Sequence, residues 1–207
     1  MSNAAASWLQ GLADRGVTVT VKSGRLRMSP EAFKTLTDSE LLTLRRIRES
    51  GVVTLGVRET SVPFSFLGAN KQPQGYSVDL CLRIADAIKS DLKLSRLDIR
   101  FVPVTSSDRI PALVDGKIDL ECGSTTNTRD RQRQVAFAYT TFVAGIKMLA
   151  RKSSNVNSLE DLRGKRVVVT QGTTSEKLLR TMNDERVLKI DIVLSKDHGE
   201  SFKAVAD

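Results

Sequence analysis

The 207-residue chain is poor in the residues that carry most metal and nucleophilic chemistry. One histidine, His198, excludes histidine-rich metal sites and histidine-based triads. Two cysteines, Cys81 and Cys122, are too few for a disulfide framework or a cysteine metal site. Aromatic residues make up 5% of the chain. They do not interleave with basic residues in the way that stacks bases, so no nucleic-acid partner is expected. No apolar run reaches the length of a membrane span. The opening residues, Met1 to Trp8, lack the charged start and long apolar middle of an export signal, so the chain as written is expected to carry none.

What remains is the make-up of a folded protein. Hydrophobic residues form 40% of the chain and charged residues 27%, which argues against wholesale disorder. The length allows one full domain and a partial second. The formal net charge of +8 admits anionic small molecules as partners. Because the basic residues are scattered, a solvated basic surface is the plain explanation for most of them.

Residues 1–50 read as a small helix–hairpin–helix unit. Ala5 to Ala13 suggests a short helix bearing Trp8, Leu9 and Leu12. Val17, Val19 and Val21 alternate with threonines before the turn Lys22-Ser23-Gly24, and Leu26 and Met28 alternate after it. Ser29-Pro30-Glu31 is a helix start, and Thr37-Asp38-Ser39-Glu40 opens another that runs to Gly51. This order resembles the small N-terminal docking domains of modular peptide and polyketide synthases, which would imply a protein-interaction role for that unit.

From Val52 the texture changes to alternating strands and helices. Val52 to Val57 is a buried strand. Ser77 is positioned to cap a helix carrying Leu80, Ile84, Ala85, Ile88 and Leu92, with Cys81 on its apolar side as a small buried hydrophobe. Leu97 to Val104 is a strand. Ser106 is positioned to cap the next helix, which holds Arg109 and Pro111 and ends at Gly116. Ile118 to Cys122 is the next strand. A second α/β segment begins near Ile146. It has a capping-box-like start at Ser158 to Asp161, a strand at Arg166 to Thr170, a helix opened by Gly172-Thr173-Thr174, and a strand at Leu188 to Leu194. Strands separated by helices of this length imply right-handed crossovers and an α/β sheet.

The polar residues of interest follow the strands. Arg58 follows the first; Ser106 and Arg109 follow another; Ser124, Thr126 and Arg131 follow a third. Thr173 and Thr174 follow a strand in the second segment, and His198 follows the last. In open α/β sheets these carboxyl ends are where ligands bind. Cys122-Gly123-Ser124-Thr125-Thr126 through Arg131 combines a glycine, several hydroxyls and an arginine after a strand, a combination suited to a carboxylate or phosphate. Each residue alone has a plainer use as a helix cap or a solvated arginine. Their repeated placement favours a site for a small carboxylate.

Five motifs, in order, carry a family resemblance. They are Gly56-Val-Arg-Glu-Thr-Ser-Val-Pro-Phe-Ser65, Thr105-Ser-Ser-Asp-Arg-Ile-Pro111, Glu121-Cys-Gly-Ser-Thr-Thr-Asn127, Gly172-Thr-Thr-Ser-Glu176 and Lys196-Asp-His-Gly-Glu-Ser-Phe202. Over roughly residues 41–207 the chain resembles the periplasmic glutamate/aspartate-binding proteins, the solute receptors of amino-acid ABC importers. The resemblance implies a periplasmic-binding-protein-like α/β fold of two lobes, with lobe one at residues 51–145 and nearly complete, and lobe two at residues 146–207 and partial. It implies a monomeric, non-enzymatic receptor without a cofactor. Its partners would be glutamate or aspartate and the importer's membrane subunits, and its location the periplasm.

By the same resemblance, Arg131 pairs with the ligand's α-carboxylate, aided by the helix start at Thr173 and Thr174. Ser124 and Thr126 orient the α-carboxylate and α-amino groups. Arg58, Ser106, Arg109 and His198 surround the side-chain carboxylate. The family normally continues further and supplies an acidic partner for the α-amino group. The resemblance therefore implies a C-terminally truncated receptor, a fragment or a fusion, in which these 207 residues alone bind glutamate weakly or not at all. The alternatives are a docking module fused to an incomplete receptor and a receptor-fold enzyme such as a dehydratase. The redox state of Cys122 is left open.

Overall fold

The computed structural model describes residues 19–22, 25–28 and 38–207. The expected helices at Ala5 to Ala13 and from Ser29 lie outside the described residues. The expected hairpin forms from β1 (Val19–Lys22) and β2 (Arg25–Met28), paired antiparallel with Val19 opposite Met28. Helix α1 (Asp38–Ser50) places Ile47, 1% exposed, in the same apolar core as Val53, Leu55 and Val57. Gly51 ends it in the left-handed region at φ 65°, where a side chain is disfavoured.

Strand β3 (Val52–Val57) buries Val53, Leu55 and Val57 on one face and sets Val52, Thr54 and Gly56, buried or half-buried, on the other, as suits a central parallel strand covered on both sides. It lies between β7 (Asp98–Pro103) and β8 (Leu120–Cys122), parallel to both, in the order β7-β3-β8. The register sets Val57 opposite both Pro103 and Cys122, so the carboxyl ends of all three strands share one edge. Each fully buried valine or leucine of β3 contributes roughly 1.5–3 kcal/mol by leaving water. Between β3 and β7 the chain makes a small antiparallel sheet from β4 (Thr60–Ser61), β5 (Ser65–Leu67) and β6 (Pro73–Gln74).

Helix α2 (Tyr76–Asp91) then packs on the sheet through Val78, Cys81 and Ala85. Its N-cap is Gly75, not Ser77 as the sequence suggested. The Ser77 hydroxyl instead donates to the Gly123 carbonyl at 2.7 Å, tying the helix to the loop after β8. Cys81 is not a free buried thiol. It forms a disulfide with Cys122, with Cα atoms 6.1 Å apart, so the same helix is also bound covalently to the end of β8. Local composition gave no reason to pair them, because 41 residues separate the two in sequence.

Helix α3 (Arg109–Val114) follows β7, and the four-residue α4 (Arg129–Gln132) follows β8. Residues 136–150 run without regular structure. Phe142 stacks edge-on against Phe64 at 5.0 Å, and Tyr76 Oη donates to the Thr141 carbonyl at 3.2 Å, pinning that crossing to the first sheet. The second segment holds a two-stranded parallel sheet of β9 (Arg166–Thr170) and β10 (Asp191–Ser195). The strand β10 starts three residues later than the sequence suggested. Helices α5 (Thr174–Glu185) and α6 (His198–Ala206) follow its two strands, and Leu162, Leu179, Leu188 and Ile190 form its core. The fold is thus mixed α/β with two separate open parallel sheets.

Candidate anion-binding site

The carboxyl ends of the two sheets face each other. Arg131 donates from Nη1 to the Thr126 carbonyl at 2.9 Å and from Nη2 to the Gly172 carbonyl at 3.1 Å, spanning the gap. Thr60 donates to Asp197 at 3.2 Å, and the hydroxyls of Thr126 and Thr174 lie 3.4 Å apart. Gly172, at φ 74°, approaches so closely that a Cβ there would sit 2.8 Å from the Cα of Ser107 and 2.9 Å from the carbonyl of Ser106. The sequence-derived candidates from both halves therefore meet across one seam.

Two of them are arginines buried without partners. Arg58 is 1% exposed, and neither Nη1 nor Nη2 has a hydrogen-bond partner. Its backbone is fixed by Ser65, whose hydroxyl accepts from Arg58 N at 2.8 Å. Arg109 is 2% exposed and its Nε is likewise unpartnered. Beside them the hydroxyls of Ser61, Ser106 and Thr125 are buried without partners. Ser106 does not cap its helix: the N-cap is Asp108, whose carboxylate accepts from Thr105 N at 2.6 Å. Buried polar groups are rarely left unpaired, and an unpaired guanidinium is the costliest kind. Five such groups around one seam describe a cradle for an oxyanion.

Electrostatics agree with burial. Desolvation holds the Arg109 guanidinium down to about 10, with the neighbouring Arg131 and Arg58 adding to the effect and Glu121 opposing it. Burial also lowers Arg58, opposed first by Glu121 and then by Asp197 and Asp108. Arg131 is lowered by burial and again opposed by Glu121. His198 begins α6, its Nδ1 2.9 Å from the Thr170 hydroxyl. Burial, then the charges of Arg58 and Arg109, push it below the usual histidine value.

The hydroxyl candidates divide by what else they do. Thr173 is committed to its helix, accepting from Glu176 N at 3.1 Å and donating to the Thr170 carbonyl at 2.7 Å. Glu176 in turn accepts from Gly172 N at 2.8 Å. Ser124 lies half-buried in the loop after β8. That loop does not lead straight into a helix, since α4 begins only at Arg129 behind a Thr128 cap. Any N–H donors near Ser124 therefore belong to loop backbone. Glu121, Ser61 and Thr125 were not singled out in sequence, although all three lie inside the quoted motifs. A separate cavity of about 670 Å3, lined mainly by apolar side chains such as Ile146, Leu149, Leu178 and Phe202, lies in the second segment. Its cations Lys147, Arg151, Lys165 and Arg166 are all exposed, so it offers no desolvated charge for a small anion.

The chain is similar to known proteins over most of its length. The family model for bacterial extracellular solute-binding proteins, family 3, matches residues 53–205. The chain is 48% identical over 161 residues to an L-glutamate/L-aspartate-binding protein of Pseudomonas aeruginosa, covering 77% of this chain and 53% of that one. It is 45% identical to a glutamate/aspartate import solute-binding protein of Salmonella typhimurium, covering 79% and 54%. The chain thus spans about half the length of the curated relatives it matches. Among solved structures, an ancestral amino acid-binding protein described as a precursor of cyclohexadienyl dehydratase superposes with a TM-score of 0.66 at 32% identity, covering 79% of this chain and 69% of that one. A mutant of ArgBP from T. maritima gives 0.69 at 28% identity, covering 79% and 67%.

Proposed function

The chain belongs to the bacterial extracellular solute-binding proteins, family 3, and on that premise we propose that it binds an acidic amino acid, glutamate or aspartate, as the extracytoplasmic receptor of an ABC importer. The observation that carries this reading is the pair of buried arginines, Arg58 and Arg109, with unpartnered donors. A ligand with two carboxylates needs at least two cationic partners once desolvated, and a neutral amino acid would leave one buried guanidinium unmet. The similarity to glutamate/aspartate-binding relatives supports the same choice.

In this reading the α-carboxylate takes the remaining donors of Arg131, which uses only two of its five N–H groups on backbone carbonyls. The N–H groups at the start of α5 assist, with Thr173 acting through backbone and Thr174 through its hydroxyl. Ser124 and Thr126 orient the α-carboxylate and α-amino groups. Arg58, Ser106, Arg109 and the free ring nitrogen of His198 enclose the side-chain carboxylate. Residues 51–145 and 146–207 would act as the two lobes that meet at the seam. The hydroxyl–imidazole contact of Thr170 with His198 also engages Ser201, and the glutamate/aspartate relatives are solute-binding proteins, so binding rather than catalysis is the activity proposed.

Thermal melts with millimolar L-glutamate, L-aspartate, L-glutamine and L-arginine test it, since that concentration reads even weak binding. The acidic pair should raise the melting temperature and the other two should not. A response to L-arginine with none to L-glutamate would sink the reading.

A further inference from the structure

We propose that Glu121 is the internal counter-ion of the arginine cluster, making the empty site tolerable and setting affinity by competing with the ligand's carboxylate for Arg58, Arg109 and Arg131. Parallel pairing sets Glu121 on β8 opposite Gly56, two residues before Arg58 on the neighbouring strand. Its Oε1 and the Arg58 Cγ both press on Gly123, where an added Cβ would meet that Cγ at 2.9 Å. The Oε1 atom is buried and has no hydrogen-bond partner.

The other carboxylates near the cluster are spoken for. Asp108 accepts from Thr105 N at 2.6 Å; Asp197 accepts from Thr60 at 3.2 Å and from Glu200 N at 3.0 Å. Glu121 is therefore the acidic group whose buried oxygen has no other employment. It acts on all three arginines through space, supporting their charged forms. Among the carboxylates acting on Arg58 and Arg109, Glu121 has the largest effect, ahead of Asp197 and Asp108, and the cluster keeps unpartnered donors for a ligand carboxylate. Had Glu121 bonded an arginine directly, it would have occupied the donors that the ligand needs. Absent altogether, it would leave the buried cations Arg58 and Arg109 and the half-buried Arg131 repelling one another. A carboxylate held close but unbonded cancels one charge and keeps the donors open.

The affinity half of this inference rests on the acidic-ligand reading; the stability half does not. Three variants test it: Glu121→Gln, Glu121→Asp and the double variant Arg58→Met/Glu121→Gln. Without ligand, E121Q should melt several degrees below the parent, and E121D should stay near it. Removing one arginine as well should restore much of the lost stability, since one positive charge then leaves together with the negative one. With L-glutamate, E121Q should bind about tenfold tighter, because one competing negative charge has gone.

An E121Q protein that melts at or above the parent overturns the proposal. So does weaker L-glutamate binding, which would mean that Glu121 receives the ligand's ammonium group. Should E121Q fail to fold, a folded double variant supports the counter-ion role and an unfolded one overturns it. If neither parent nor variants respond to L-glutamate, the ligand-free melts alone decide the role of Glu121: a lowered E121Q melt supports it and an unchanged or raised one overturns it.

Discussion

Replacing Arg58 by methionine should stabilise the empty protein while abolishing its response to acidic amino acids. The opposite signs follow from one fact: Arg58 is 1% exposed, yet both of its terminal nitrogens lack partners. An unmade hydrogen bond of a buried group costs about 1–3 kcal/mol, more when the group is charged. Methionine keeps most of the stem packing beside Gly123 and removes that cost. The backbone bond from Arg58 N to Ser65 does not depend on the side chain. Some favourable attraction to Glu121 is lost, but Arg109 and Arg131 remain near that carboxylate. A net gain of about 1–2 kcal/mol would raise the melting temperature by roughly 2–8 °C for a chain of this size. Against that, two charge-assisted bonds to a ligand carboxylate are worth about 1.5–3 kcal/mol each, so binding should weaken by about two to four orders of magnitude. Melts of both proteins with and without millimolar L-glutamate read the two effects together. A variant that melts several degrees lower, or one that keeps the parent's response to L-glutamate, would show that Arg58 is a structural residue and refute the reasoning.

Three further outcomes are expected. Gly172→Ala puts a Cβ 2.8–2.9 Å from the Ser106–Ser107 backbone and in a left-handed conformation that costs an L-residue about 1–2 kcal/mol. It should force the seam apart and weaken the L-glutamate response by about tenfold or more, while leaving the melting of the ligand-free protein within a few degrees of the parent; unchanged affinity would mean that the two edges need not approach. Reducing the disulfide, or replacing Cys81 and Cys122 together by alanine, should destabilise the fold by roughly 4 kcal/mol on the loop-entropy scale for a 41-residue separation, read as a fall in melting temperature on the order of 10 °C. An unchanged melt in reductant would show that the bond does not form. His198 is held below the usual histidine value, so it is neutral in the fold at a pH where the unfolded chain already takes a proton. Its contribution is full above the ordinary histidine pKa of about 6.5 and is lost as pH falls through the lower folded value. Stability of the parent should therefore drop between about pH 7 and the onset of carboxylate titration, and His198→Gln should flatten that part of the curve; parallel curves would rule the residue out as its source.

The succession of strands and helices and the positions of the cationic candidates were legible in sequence because both follow from local pattern. Val52 to Val57 has the pattern of a buried strand, and the residue after such a strand in an open α/β sheet stands at the ligand edge, which makes Arg58 a candidate from sequence alone. Arg109 and Arg131 followed from the same rule. What sequence did not reveal depended on distance between elements. Ser77 had the right type and place for a helix cap, but a neighbouring loop offered its hydroxyl a carbonyl at 2.7 Å, and Gly75 became the cap instead. Ser106 likewise ceded its helix to Asp108 and kept an unpaired hydroxyl in the cradle. Cys81 read correctly as buried, yet its partner lay 41 residues away on another element.

Glu121 was hidden for a related reason. A single carboxylate in a strand reads as an ordinary solvent-facing residue until the register sets it opposite Gly56, two residues before the buried Arg58. Positive residues announce an anion site, because each is costly to bury and so is noticed. The acidic residue that makes their company bearable has no such signature. In a cradle built from like charges, the group that opposes the ligand can matter to affinity as much as the groups that grip it, and only the three-dimensional neighbourhood tells the two apart.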